Sequence, residues 1–596
     1  MSLRGDTPHD EMPHDVMPRD ETPRGAMLRG TMLREIFRYE LEHRLHSAST
    51  WIYAVILFMV AFWMLLATAD GASSAAFANA PERLAGAAVL PGMFGMLITA
   101  ALFGDASVRD VEVRMDPLLF TSPMRKAEYL GGRFLAALSV NAVILVAIPL
   151  GAVVSTLVVA SSDPDVVGPF RASAYLQTYF ILLLPNLVVV GAILFTIGML
   201  ARQVVPVYLG AIGIFIGYVV ALNYGARLDS PMVAALIDPL GLVSLEQTTR
   251  YWTAAERNTR LVASGLLMWN RVVWLAVAAA VFAVLVNRFR FAHAEGGGRR
   301  RRRPERLESP VRERAGPLAM QRVAGSFGMR TWVRQTFEVA RHSVAEFAAN
   351  RWFAVVLISC AGLTLLMGWN VGDTVFDTST WPVTLLVAET VQSERIVPII
   401  YLLIVVFAGE LVWKEREVGV AEIADATPVP EAVALIGRFL ALVAMIALIQ
   451  LAIMAGGILI QAFQGYYHFE IGLYLRILFG MNLAGYVLVA ALAMTIHVVL
   501  NHKYLGHIIT LLAVVSTVVL EQLGVRHHLV LFNTDPGWTY SDMNGFGPFI
   551  APFVWFKLYW AAWAMLMMVI AIMLRVRGRE QAARARLSQA RARLRG

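Results

Sequence analysis

Four lysines, Lys126, Lys414, Lys503 and Lys557, are the first residues to weigh. A lysine placed directly after glycine in GxxxxGK[ST] is what grips nucleotide phosphates in a P-loop. Here the four follow Arg125, Trp413, His502 and Phe556, so none can play that part. No HExxH occurs, and the nearest look-alike, His502 with His507, is spaced five residues apart with no glutamate between them. That spacing does not put two zinc-binding histidines and a base on one helical face. His527 and His528 have no carboxylate or further histidine at ligand spacing and read as an exposed loop. The single cysteine, Cys360, lies in an apolar run and builds neither a disulfide nor a thiolate zinc site within one chain. No catalytic residue, metal ligand set or cofactor site is read from the sequence.

Charged residues are concentrated instead in a repeated segment. GDASVRDVEVRMDPLLFTSPMRKAEYLGGRFL from Gly104 aligns without a gap on GELVWKEREVGVAEIADATPVPEAVALIGRFL from Gly409, at a constant offset of 305. Glu112 matches Glu417, Pro123 matches Pro428, and the run GRFL recurs at 132–135 and 437–440, carrying Arg133 and Arg438. Asp105, Arg109 and Asp110 correspond in charge to Glu410, Lys414 and Glu415. Asp105 with Arg109, Asp110 with Arg114 and Glu410 with Lys414 stand at (i, i+4), and Arg109 with Glu112 and Lys414 with Glu417 at (i, i+3). Such pairs predict charged helices, ending near Pro117 and before Pro428. All of these charged positions except Arg114 are read as partner-docking or loop-rigidifying residues. The plain alternative is a solvated hairpin, and the duplication favours the rigid protrusion.

The elements that must position these loops are membrane helices. The chain is 58% apolar and 16% charged with a mean hydropathy of +0.60, where a soluble domain carries about a quarter charged residues. Apolar runs long enough to cross about 30 Å of hydrocarbon recur throughout. They predict an all-helical polytopic protein with spans near 51–67, 84–103, 136–160, 175–200, 204–222 and 271–286. A second set follows near 352–369, 395–412, 439–462, 473–499, 506–521 and 555–574. The expected organisation is a disordered tail over 1–31, a six-helix half over 32–290, a basic linker over 291–330, a second half over 331–575 and a basic tail over 576–596. Because six is even, the halves form a parallel repeat about an axis along the membrane normal.

Before the first span, residues 33–47 place Ile36, Phe37, Leu41 and Leu45 near one face and Arg34, Arg38, Glu42 and Arg44 elsewhere. That pattern predicts an interfacial helix. Arginine and lysine cluster in the loop after span 2, in the linker at Arg299–Arg303 and after span 12, which predicts both termini on the cytoplasmic side of an inner membrane. The Arg299–Arg303 run beside a span fits topology and anionic lipid better than nucleic acid. Asp238-Pro239 and Asp535-Pro536 follow the fifth span of each half, with Trp252 and Trp538 beyond them, and predict external caps. Asn141, Asn186, Gln450 and His497 fall inside spans, where polar groups line a pathway or hold a neighbouring helix.

The helix FRYELEHRLHS before WIYA, the loop RDVEVRMDPLLFTSPMRKAEYLGGRFL and the segment DPLGLVSLEQTTRYWTAAERNTRL resemble the permeases of type-2 ABC exporters, as do NHKYLGH at 501–507 and SDMNGFGPF at 541–549. The similarity spans roughly residues 32–580 and is nearest to a subgroup joined to, or encoded beside, a zinc aminopeptidase. It implies that each half contacts one ATP-binding subunit through its span-two loop. ATP and Mg would then sit on two partner subunits, with a zinc aminopeptidase as a separate partner and no peptidase activity in this chain. Twelve spans with a basic linker also describe secondary carriers, and a non-transporting anchor for a peptidase is a third reading.

Overall fold

The computed structural model describes residues 31–68, 72–73, 76–113, 115–122, 124–225, 230–291, 328–369, 371, 380–391, 396–575, 577 and 583–595. The expected N-terminal tail, apart from Thr31, and the linker residues 292–327 with Arg299 through Arg303 lie outside them. Among the described residues there are helices and two isolated β-bridges, with no strand.

Among the described residues eleven helices are long and apolar enough to cross a membrane, which makes this an all-helical polytopic membrane protein. In order they are Ala48–Ala67, Pro91–Glu112, Lys126–Ser162, Ala172–Ala201 and Gly265–Arg288 of the first half, then Arg351–Gly368, Val397–Glu417, Glu431–Phe463, Ile471–Leu500, Lys503–Glu521 and Gly547–Leu574. The twelfth expected span is present as the helix Val205–Gly225, but its apolar stretch, Val205–Ala221, is at the short end of what spans hydrocarbon. Numbered in chain order with that helix as span 5, the helices are spans 1–12 below, spans 1–6 preceding and spans 7–12 following the residues 292–327.

Several helices run well past their apolar cores. Span 3, expected at 136–160, starts at Lys126, because its first two turns are held by protein contacts that hydropathy does not register. Spans 4 and 10 each contain a π-helical stretch, Thr178–Leu183 and Leu475–Asn482, which the sequence did not signal. Both spans end on a residue in the left-handed region, Arg202 (φ 54°) and Asn501 (φ 51°), so the chain turns sharply into the fifth span of each half.

Between helices in lipid there is little hydrophobic drive, so close backbone approach matters. Spans 1 and 3 cross at Gly151, where a Cβ would lie 2.6 Å from the Phe58 carbonyl oxygen. Spans 7 and 9 cross at Gly456, 305 residues on, where a Cβ would lie 2.9 Å from the Ala361 carbonyl. The halves meet through their fifth spans: span 5 packs on spans 7 and 8, and span 11 on spans 1 and 2.

A helix, Thr31–Leu45, precedes span 1 at the place where the sequence predicts an interfacial helix, and it is called the first interfacial helix below. A second one, Met329–Ala348, precedes span 7 and was not foreseen. Each lies across the third span of its half.

Candidate functional site

The repeated loop forms an elbow at the same end of each half. Spans 2 and 8 end at Glu112 and Glu417, and after a short link the chain makes a one-turn helix, Asp116–Phe120 or Ala421–Asp425, before returning as span 3 or 9. The two one-turn helices are themselves 305 residues apart.

The GRFL run explains how each elbow is held. A Cβ on Gly132 would lie 2.9 Å from Ile36 Cγ2 and 3.1 Å from the Leu33 carbonyl; one on Gly437 would lie 2.8 Å from Val339 Cβ and 2.9 Å from the Thr336 carbonyl. Glycine is therefore what lets the interfacial helix seat on span 3 or 9. The following arginine turns inward: Arg133 pairs with Asp110, and Arg438 pairs with Glu415, at equivalent positions of the repeat. Asp110 also accepts from the Tyr129 hydroxyl at 2.8 Å, while Arg133 donates to the Ala106 carbonyl at 2.8 Å.

The remaining expected site residues join this framework. Asp105 is bound by Arg44 of the interfacial helix at 2.6 Å, with Arg109 only 3.9 Å away. Arg109 instead pairs with Glu40, which also lies 3.5 Å from Arg133 and 3.7 Å from Arg44. Lys414 pairs with Glu346 of the second interfacial helix at 2.6 Å. Glu410 and Glu417 are both bound by Lys503 at the head of span 11, Glu410 at 2.8 Å. Glu112 is exposed and lies within electrostatic reach of Glu417 and Lys503 of the other half. Apart from Glu112, and from Arg114, which lies outside the described residues, the charged positions thus brace the elbows from within, and long-range partners compete with the local pairs read from spacing.

Each elbow presents apolar side chains outward, beside exposed Glu112 on the first and Glu417 and Glu422 on the second. Val113, Met115 and Leu118 are exposed on the first, and Val418, Val420 and Ile423 on the second, each matching its mate at the 305-residue offset. Leu118 and Ile423 are 71% and 72% exposed.

Where the halves meet near this end, Tyr208 of span 5 stacks edge-on against His507 of span 11 at 4.9 Å between ring centroids. The pair sits six residues after Arg202 and Asn501 respectively, so each ring meets its own counterpart. His507 contacts His497 at 4.7 Å, and Trp413 donates to His497 Nδ1 at 3.3 Å.

The other residues proposed for a pathway hold neighbouring elements. Asn141 donates to Thr99 Oγ1 at 2.8 Å, Asn186 donates to the Leu240 carbonyl at 2.9 Å and accepts from Arg271, and Gln450 is hydrogen-bonded to Tyr486. The segments expected as caps are braced internally. Asp238 is fully buried and accepts from the backbone of Leu240 (2.9 Å) and Val243 (2.7 Å). Burial raises its pKa against the pull of those bonds and of Arg271. Trp252 packs partly buried against Leu182, Leu245 and Val262. In the second cap Lys557 pairs with Asp535 at 2.9 Å, and Trp538 packs on Phe546 at 5.4 Å.

Glu40, Arg44, Glu346, Lys503, Tyr208 and His507 escaped the sequence reading. The signal available for Glu346 was the repeat itself, which calls for an interfacial helix before span 7. Compared with known proteins, the chain matches no family profile and no curated protein.

Proposed function

We propose that the chain is the membrane-spanning permease of an ATP-binding-cassette exporter of the type-2 class, in the cytoplasmic membrane with both termini and both elbows in the cytoplasm. Two separate ATPase subunits dock on it, one per elbow, and hold the ATP and Mg that drive it. The observation supporting this reading is the repeated exposed triad, Val113, Met115, Leu118 and Val418, Val420, Ile423. Apolar side chains around the spans face lipid, but at the tips of charged elbows beyond the spans they require a partner. Because each tip is a direct continuation of span 2 or 8 and is fastened to an interfacial helix, a push on it moves the half as a unit.

The test is co-purification from the native host. Leu118→Glu and Ile423→Glu should each remove about half of the associated ATPase subunit, and the double variant nearly all, with membrane insertion unchanged. Full retention in the double variant, or efflux driven by a proton gradient without any ATPase, would reject the proposal in favour of a secondary carrier. Recovery of a zinc aminopeptidase alone would favour the anchor.

A further inference from the structure

The two halves share a framework behind their elbows but fill it differently. In the first half the space between the elbow helix, span 3 and the end of span 6 is packed with Phe120, Tyr129, Phe289 and Phe291, whose ring centroids lie 5.2 to 6.2 Å apart. Arg202 stacks over Phe120 at 5.9 Å. At the 305-residue offset the mates of Phe120 and Tyr129 are Asp425 and Ala434, and Phe289, first after span 6, is matched by Arg575, first after span 12.

These exchanges leave a polar pocket of about 40 Å³ in the second half, lined among others by Trp413, Arg416, Asp425, Arg438, Asn501 and Arg575. One ordered water needs about 10–15 Å³ by this measure, so the space takes a group of several heavy atoms. Arg416, Arg438 and Arg575 contribute three positive charges to its wall, against Glu415 and Asp425. Arg586 of the C-terminal helix Ala583–Arg595 adds a fourth within electrostatic reach of Arg416. Its guanidinium donates to the carbonyls of Val498, Val499 and Leu574, which bring no countercharge. Glu431 nearby is already paired with Arg577 and Arg593.

Arg438 is paired with Glu415, but the other two arginines of the wall have neutral hydrogen-bond acceptors. Arg416 donates to Asn501 Oδ1 at 2.6 Å and Arg575 to the Glu431 carbonyl at 3.2 Å, both neutral acceptors. Burial, with Arg438 beside it, holds the Arg575 guanidinium down to about 10 against the pull of Glu415, Asp425 and Glu431. A fully buried His497 with an unpartnered Nε2 completes the inner wall.

We propose that this pocket, whose counterpart among the described residues of the first half is filled by the aromatic cluster, binds a phosphate group. Planar guanidinium forks from several directions suit a tetrahedral, multiply charged oxyanion better than a single carboxylate. The site also lies at the ends of spans 8, 10 and 12, the depth at which phospholipid phosphates sit, so a lipid headgroup and free phosphate are both chemically matched sources.

The experiment uses the full-length protein, delipidated in neutral detergent or placed in phosphatidylcholine nanodiscs with or without phosphatidylglycerol. Thermal unfolding is followed with added inorganic phosphate or with chloride at equal ionic strength, and native mass spectrometry counts retained lipid. Stabilisation by phosphate beyond that by chloride identifies the free anion as sufficient; stabilisation and retention with phosphatidylglycerol alone identify the headgroup. In either case Arg416→Gln with Arg575→Gln should weaken the effect at least tenfold. Ala421→Trp, which fills the pocket and keeps every charge, should do the same, so a folding defect in the arginine variant does not decide the matter. No effect of either probe, or effects unchanged in Ala421→Trp, would overturn the proposal.

Discussion

At the scale of single residues, two kinds of position hold the elbows, and they fail differently. Gly437 has no room for a side chain, so Gly437→Val should destabilise by overpacking, about 1–3 kcal/mol, with the equivalent change at Gly132 costing a similar amount. Arg133 and Asp110 are both buried. Removing either alone leaves an uncompensated charge, so Arg133→Met should cost about 3–5 kcal/mol, while Arg133→Met with Asp110→Leu recovers most of that loss. Thermal unfolding in detergent reads all of these. His502 gives a pH test. Its Nδ1 caps span 11 by accepting from Leu505 N–H at 3.2 Å, a role open only to the neutral ring. Burial depresses its pKa below 6.5, against the opposing pull of Asp105. A depressed folded pKa means the contribution is complete above about pH 6.5 and fades as pH falls through the lower folded value. His502→Asn, which caps without titrating, should flatten that part of the stability profile.

At the scale of elements, the sequence revealed the spans and the repeat because both are local properties: a long apolar run needs no partner to be recognised, and a gapless alignment needs no geometry. The caps were also legible, since Asp238-Pro239 and Asp535-Pro536 interrupt apolar sequence at matching places. What escaped was pairing across distance. Arg44 looked like an ordinary member of a helix's polar face, and nothing near it in sequence announces that it binds Asp105, 61 residues away. Asp105 and Arg109 have ideal helical spacing, yet the closer partner wins. The GRFL run could be seen twice but not explained, because the atoms that require its glycine belong to Leu33, Ile36, Thr336 and Val339. An element-level consequence follows: deleting residues 31–45 should leave spans 1–6 inserted but expose the first elbow to protease, while the second elbow stays protected.

At the scale of the whole molecule, duplication kept the crossings and let the chemistry diverge. Gly132 with Gly437, Gly151 with Gly456, and the two inward arginines are retained, whereas Val204 is replaced by Lys503 and Tyr208 by His507 at the seam. The second half is also braced by a C-terminal helix whose Arg593 ties Glu431 to the carbonyls of Ile572 and Met573. Driving forces applied equally at the two elbows therefore act on halves of unequal stiffness. If the proposed function holds, fluorophores on the elbows should report larger displacement of the first than of the second when ATP is supplied with the proposed ATPase subunits, and equal displacement would argue that the C-terminal helix bears no load.

The contact of Tyr208 with His507 has an electrical side. With those rings in contact, side chains from the two halves meet where a water column along the seam would have to begin. A planar bilayer containing the protein at rest should keep the resistance of bare lipid, and shrinking both rings with Tyr208→Ala and His507→Ala should give it a measurable ion leak. The aromatic seam is thus insulation as well as an interface, keeping the voltage across the membrane from draining through the protein.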